Sequence, residues 1–277
     1  MICWLCGEER RINRRPYPWQ RDDLSPAGRW VLGICGPLAF LGLWQLFGSA
    51  GWLGATPSPA DVARAVVRLA SRGDPFLKRT LWAHAGASLL RIICGFVLAA
   101  VVGTGLGLLM GWSRVARQAL RPLVEMLRPI PPFAWIVLAI LWFRIGNAPA
   151  VFIVFLGALF PVLLNVASGL ESFDRMLGEA AATLGASTAQ VLFRVAFPAA
   201  LPQIFTGLRV GLGVAWMSLI AAEMVGVGGS GLGLLIESSK AVWDLDYAVA
   251  GMVVIGAVGL ALDLGMRRAE TYFLRWR

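Results

Sequence analysis

Apolar runs of bilayer length recur along this chain, and they constrain its fold more than any other feature. A spanning helix needs about 20 mostly apolar residues. Six stretches of the 277-residue sequence approach or exceed that length: 30–47, 84–112, 132–143, 149–170, 204–225 and 247–266. The second is long enough to tilt, and the third is short and begins in the cluster Pro129, Pro131, Pro132. None shows the strict alternation of a barrel strand. The expected fold class is therefore all-α integral membrane, with six transmembrane helices. Composition agrees, since 58% of residues are hydrophobic and only 15% charged, against about 25% charged in soluble domains. A disordered chain, a soluble nucleic-acid binder and a disulfide-stapled secreted module are excluded. The net charge of +9 does not reverse this, because the cations are scattered between apolar runs as membrane-flanking charges are. Membrane lipid is an expected partner; nucleic acid is not.

The placement of Arg and Lys gives the orientation. With the N-terminus inside, the inner segments carry sixteen cations and the outer ones seven, so both termini are expected in the cytoplasm. Residues 1–29 read as a cytoplasmic tail, 30–266 as the membrane domain and 267–277 as a second tail. The first residues lack the apolar core of a removable signal peptide. Cys3 and Cys6 form a lone CxxC with no second ligand pair, so no metal is expected.

Between the first two spans, Ser58 suits a helix cap, with Pro59 at the first position and Asp61 closing a capping box. Val62, Val66 and Leu69 then share one face and Arg64, Arg68 and Arg72 another. Such a helix lies on the membrane surface or packs on the span ends. Gly103, Gly107 and Gly111, and Gly207 with Gly211, stand four apart, which suits close helix approach within one bundle or at a dimer or moving interface. Ionisable residues inside spans are costly and so are candidate functional groups: Arg91, Arg209, Glu223 and Asp263. Arg91 either attracts an anionic solute or pairs with a carboxylate. Glu223 and Asp263 lie near span ends, where water is expected to reach them. His84 reads as a packed or interfacial residue. The glycine-rich run 226–233 follows a span rather than a strand, so it reads as a flexible outer turn and not a nucleotide site.

The stretch 171–202 is polar enough to leave the membrane. Asp174 is suited to capping a helix that runs through Glu179 and the following alanines, and Gly185 to ending it in a left-handed conformation. Ser187 and Gln190 make a capping box for a second short helix. Pro198 and Pro202 are expected to stop that helix before the fifth span.

In this loop Glu179-Ala180-Ala181, Gly185 and the ending Val195-Ala-Phe197-Pro198 resemble the EAA loop of ABC importer permeases. Val195 and Phe197 stand where the family usually has Ile and Leu, both apolar exchanges. The resemblance covers roughly residues 30–275 and is nearest to the nitrate/sulfonate/taurine branch. Leu127-Arg128-Pro-Ile-Pro131, Gly207-Leu-Arg209, Ala222-Glu-Met224 and Gly231-Leu-Gly233 also match, whereas Arg144-Ile-Gly-Asn147 departs from the usual Gly-Ile-Gly-Glu.

The resemblance implies the type I importer permease fold in the bacterial inner membrane. It also implies a homodimeric or paired permease, two cytoplasmic ATPase subunits that bind ATP and Mg, and an external substrate-binding protein. Glu179, Ala180, Ala181, Gly185, Val195, Phe197 and Pro198 would form the coupling element that meets the ATPase. The chain itself has no phosphate-binding loop, so it is not expected to be an enzyme or to hold a cofactor. The solute would be a small anion of the sulfonate, taurine or nitrate class. An ion-coupled secondary transporter is the alternative; it would need mid-membrane carboxylates and internal repeats, neither of which is clear. A membrane-embedded enzyme is disfavoured by the shortage of His, Lys and clustered acids.

Overall fold

A computed structural model describes residues 26–50 and 56–275; Cys3, Cys6 and nearly all of the N-terminal tail lie outside the described residues. Every regular element described is helical: α1 (Pro26–Ser49), α2 (Pro59–Ser71), α3 (Leu81–Trp112), α4 (Arg114–Leu127), α5 (Ile136–Phe143), α6 (Asn147–Glu171), α7 (Arg175–Thr183), α8 (Thr188–Val191), α9 (Phe197–Met224), α10 (Leu232–Ala241) and α11 (Leu245–Phe273). Four helical stretches are long and apolar enough to cross a bilayer: α3, α6, α11 and the continuous rod Thr188–Met224 that contains α8 and α9. A fifth exists if α4 and the Pro132–Phe143 segment, bent by 86°, count as one span, and Ile34–Ser49 is a shorter apolar helix.

Glycine sets the closeness of α3 and α6. A Cβ on Gly95 would stand 2.5 Å from Val154, one on Gly107 2.6 Å from Val166, and one on Gly111 2.7 Å from Leu170. Gly103 faces Val162 in the same series. The partners rise together along both helices, so α3 and α6 run parallel. The small residues serve a contact inside one bundle, where van der Waals packing replaces the missing hydrophobic drive. A parallel pair requires the chain to return between them, and the α4–α5 segment makes that return.

On its other side α6 meets α9. Gly169 lies against Ala200, Gly207 against Asn165, Gly211 against Ala158 and Val162, and Gly157 against Ala215, a falling series that makes this pair antiparallel. Gly259 against Trp216 and Arg209 against Asp263 show that α11 reverses direction again. The ends of α3, α6 and α11 therefore lie on the same side as α7.

The stretch 113–131, expected as an inner loop, contains α4. Ser113 caps it by accepting from Ala116 N–H at 3.3 Å. Arg117 donates to the Met110 and Gly111 carbonyls at 3.0 and 2.9 Å, satisfying orphan acceptors at the end of α3, and pairs with Glu171 at 2.9 Å. Met110, Val124, Leu163 and Ala167 bury this junction. The prolines that follow break the helix, because proline disfavours helical backbone in the preceding residue.

The capping box of α2 is formed as expected: Asp61 N–H donates to Ser58 Oγ at 3.3 Å, and Ser58 N–H to Asp61 Oδ2 at 3.1 Å. Its buried face is Val62, Ala65 and Leu69, with Val66 half-buried beside them. Arg68 reaches Asp246 at 3.7 Å and lies over the Tyr247 ring. The helix thus packs on the start of α11, at the span ends.

Candidate functional site

The residues of the expected coupling element are brought together on one projection. Asp174 caps α7 by accepting from Met176 N–H at 2.9 Å. At the other end Gly185 takes φ +87°, its N–H reaches the Ala182 carbonyl, and Ala186 N–H reaches Ala181 O at 3.0 Å. That is a Schellman motif, for which glycine carries no Cβ penalty. Ser187 and Gln190 then form the second capping box, with Ser187 N–H donating to Gln190 Oε1 at 2.8 Å. Glu179, Ala180 and Gly185 are exposed, and Ala181 is half-buried. Beside them Met176, Leu177, Leu184 (90% exposed) and Phe193 present apolar side chains. Phe173 packs under Gly178 and is tied, with Leu192 and Phe197, to the buried cluster Val166, Leu170, Ala196 and Ala200. Phe197 is thus a root of the projection, and its tip is apolar.

One expectation for this loop is corrected. Pro198 and Pro202 do not stop the second helix. Residues Leu192–Ala196 form a π turn, in which Phe197 N–H bonds to Leu192 O, and the helix runs on without a break from Thr188 to Met224. A proline inside a helix lacks a donor and crowds the carbonyl four residues back. The wider π turn immediately before Pro198 relieves that crowding, and such bulges recur at functional sites.

The intramembrane residues fall into two groups. Arg91 (2% exposed) and Glu223 (0% exposed) pair at 2.7 Å. Arg91 Nε also donates to Asn147 Oδ1 at 2.8 Å, and its terminal nitrogens donate to the carbonyls of Ser230 and Gly228. Glu223 accepts from Ser88 Oγ at 2.8 Å and from Gly233 N–H at 3.1 Å. Leu232 N–H donates to Ser88 Oγ, and Gly231 N–H lies 3.1 Å from His84 Nδ1. His84 is fully buried, and its Nε2 has no hydrogen-bond partner.

This cluster overturns two expectations. Glu223 does not reach water, because Ser88, Arg91 and the glycine-rich segment enclose it. The run 226–233 is not a loose turn, because two of its carbonyls and three of its N–H groups are bound to side chains of α3 and α9. Gly228 and Gly231 have φ of +105° and +150°, and a Cβ on either would collide with Arg91 or Glu223. The cluster therefore fixes α3, α6, α9 and the entry to α10 to one another. Chemically it is spent, since every charge in it is paired.

The second group joins α9 to α11. Arg209 Nε lies 2.7 Å from Asp263 Oδ1, and Arg267 Nε 2.8 Å from Asp263 Oδ2. Sequence reasoning missed Ser88 and Asn147 as partners. A signal existed for Ser88: His84, Ser88 and Arg91 form a polar stripe at helical spacing inside an apolar span.

The sequence and this geometry agree with known proteins. Residues 103–275 match the family described as binding-protein-dependent transport system inner membrane component. The chain is 45% identical over 190 residues to a putative ABC transporter permease of Methanocaldococcus jannaschii, covering 69% of this chain and 71% of that one. It is 37% identical to the taurine transport system permease protein TauC of Escherichia coli, covering 98% and 97%. It is 35% identical to the bicarbonate transport system permease protein CmpB of Synechococcus elongatus, covering 97% and 98%. The fold matches an inward-facing structure of the MetNI methionine ABC transporter with a TM-score of 0.62 and 20% identity, over 68% of this chain and 93% of that one. Membership in such a transport system displaces the ion-coupled alternative. The chain, a bundle built around parallel and antiparallel glycine seams with a capped projection rooted between α6 and α9, therefore belongs to the ABC importer permeases, the inner membrane components of binding-protein-dependent transport systems.

Proposed function

We propose that two copies of this chain form the membrane pathway for a small oxyanion, of the sulfonate, taurine, bicarbonate or nitrate kind, and that α7 with α8 couples it to a separate ATPase. ATP and Mg would be held by that ATPase, and solute would arrive from an external binding protein. One observation carries the coupling role: the exposed Glu179–Gly185 segment is joined, across the capped turn at Gly185–Ser187, to the unbroken helix Thr188–Met224, which is long and apolar enough to cross the bilayer. Small side chains at Ala180, Ala181 and Gly185 let a partner approach the backbone, and Leu184, Met176 and Phe193 supply apolar contact. Closure of the ATPase pair would move this projection as a rigid body.

Six crossings follow in this reading from α1, α3, the bent α4–α5 segment, α6, α9 and α11. The projection and the C-terminus then face the cytoplasm, as the arginine distribution favours, and α1 brings the N-terminus to the same side. The relatives named for taurine and bicarbonate transport support the solute class.

The test is to express the chain with its ATPase and binding protein and follow ATP-dependent uptake of labelled taurine and bicarbonate together with ATPase retention. Glu179→Lys and Gly185→Arg should leave the permease in the membrane but abolish uptake and weaken ATPase retention. Unchanged uptake and retention for both variants would defeat the coupling assignment.

A further inference from the structure

We propose that Arg128 is the solute-contacting residue of the permeation cleft, a guanidinium placed to receive the anionic group. The proposal deepens the functional reading above and rests on its anionic solute.

A cleft of about 490 Å³ opens between α6, α9 and the proline segment after α4. Leu156, Phe160, Val210 and Val214 make most of its wall apolar, and Arg128 and Asn165 are its polar side chains. A second cavity of about 310 Å³, lined by Arg117, Arg121, Glu125 and Glu171, shares Arg128 and Leu164 with the first. Arg128 therefore stands where the two spaces meet.

The charge balance of the two cavities singles it out. Three arginines face two glutamates. Arg117 is taken by Glu171 at 2.9 Å and Arg121 by Glu125 at 2.7 Å. The Arg128 side chain has no ion pair or hydrogen bond among the described residues; its backbone N–H alone is engaged, with Val124 O at 2.9 Å. A guanidinium offers a planar fork that fits sulfonate, carboxylate and bicarbonate oxygens bidentately, and the exposed Arg128 side chain is accessible to a solute in the cleft. The bend at Pro129–Pro132 directs the chain end of α4 toward this space, so the position follows from the backbone break.

Asn165 completes the site. Its Nδ2 donates to Pro161 O at 2.8 Å, and the close approach of Gly207 to its Cβ fixes the side chain. The amide oxygen is left as an acceptor for an amine or hydroxyl elsewhere on the solute.

The experiment uses the complete complex of permease, ATPase and binding protein in liposomes, with labelled taurine and labelled bicarbonate as probes. Arg128→Gln should lower the maximal uptake rate by about tenfold or more, the scale of losing a charge-assisted hydrogen bond. Half-saturation and ATP hydrolysis stimulated by the binding protein should stay within about twofold, because neither depends on this contact. Arg128→Lys should recover part of the rate, since the positive charge is kept while the planar fork is lost. Arg128→His should transport faster at pH 5.5 than at pH 8 relative to wild type, as its imidazole loses charge; this reading holds even if the Gln variant fails to assemble. Wild-type rates for Arg128→Gln, a flat pH response for Arg128→His, or equal loss of ATP hydrolysis in the Gln and Lys variants would overturn the proposal. Uptake of neither anion by the wild-type complex would instead overturn the anionic reading on which it stands.

Discussion

Glu223→Gln tests the buried polar cluster most directly. The carboxylate accepts from Arg91 at 2.7 Å on one oxygen and from Gly233 N–H at 3.1 Å on the other, while Ser88 donates across both. A carboxamide has the same shape but only one acceptor oxygen. If that oxygen faces Arg91, the new NH2 meets the Gly233 N–H; flipped, it meets the guanidinium. Either way a donor faces a donor where burial is complete, and Arg91 loses its neutralising charge. Removing one member of a buried pair costs about 3–5 kcal/mol. With about 2–4 °C lost per kcal/mol in domains of 150–250 residues, the melting temperature in detergent should fall by roughly 10 °C. Arg91→Met should cost a similar amount, and the double variant Arg91→Met/Glu223→Gln should fall short of the sum by about 2 kcal/mol. A Glu223→Gln protein melting within about 2 °C of wild type, or a cycle additive within about 0.5 kcal/mol, would refute the view that this pair holds the bundle.

Two further outcomes are expected. Gly107→Leu forces a Cβ to within 2.6 Å of Val166 and 2.7 Å of the Leu163 carbonyl, so α3 and α6 must part; a loss of about 1–3 kcal/mol should appear in thermal melting. Gly105→Leu, with nothing within 4 Å of its added Cβ, should be near neutral, and equal melting of the two variants would contradict the seam. The Ser58 hydroxyl and backbone N–H hold the Asp61 carboxyl below its ordinary value. Its contribution to the α2 cap is therefore complete above the unfolded pKa of about 3.9 and is lost as pH falls through the lower folded value. Amide exchange in α2 should stay slow at pH 5 and accelerate only well below pH 4; acceleration near pH 5 would contradict the cap.

Much of this architecture was legible because its signals are local. Capping at Ser58, Asp174 and Ser187, and the left-handed turn at Gly185, depend on residues within a few positions, and the sequence carries them whole. What escaped depends on distant partners. The pairing of Arg91 with Glu223 joins residues far apart in the chain, so proximity of Glu223 to a span end gave the wrong impression of water access. Gly228, Gly231 and Gly233 read as slackness, whereas a side chain at any of them would collide with Arg91 or Glu223. Pro198 read as a stop because the π turn that accommodates it has no signature in residue type, and Pro202 lies one turn further inside the same helix. The helix α4 was hidden by its three arginines, Arg114, Arg117 and Arg121, which resemble a loop in composition.

The unbroken stretch Thr188–Met224 has a mechanical consequence. At 1.5 Å per residue it is about 55 Å long, while the bilayer core is about 30 Å thick, so a substantial part of it extends beyond the lipid. Its closest approach to α6, at Gly207 and Gly211, lies about 30 Å from the α8 end and about 20 Å from the other. Because Glu223 at that other end is locked through Arg91 to α3 and to Asn147 of α6, a displacement at α8 would carry these helices with it as one block, with no flexible relay between.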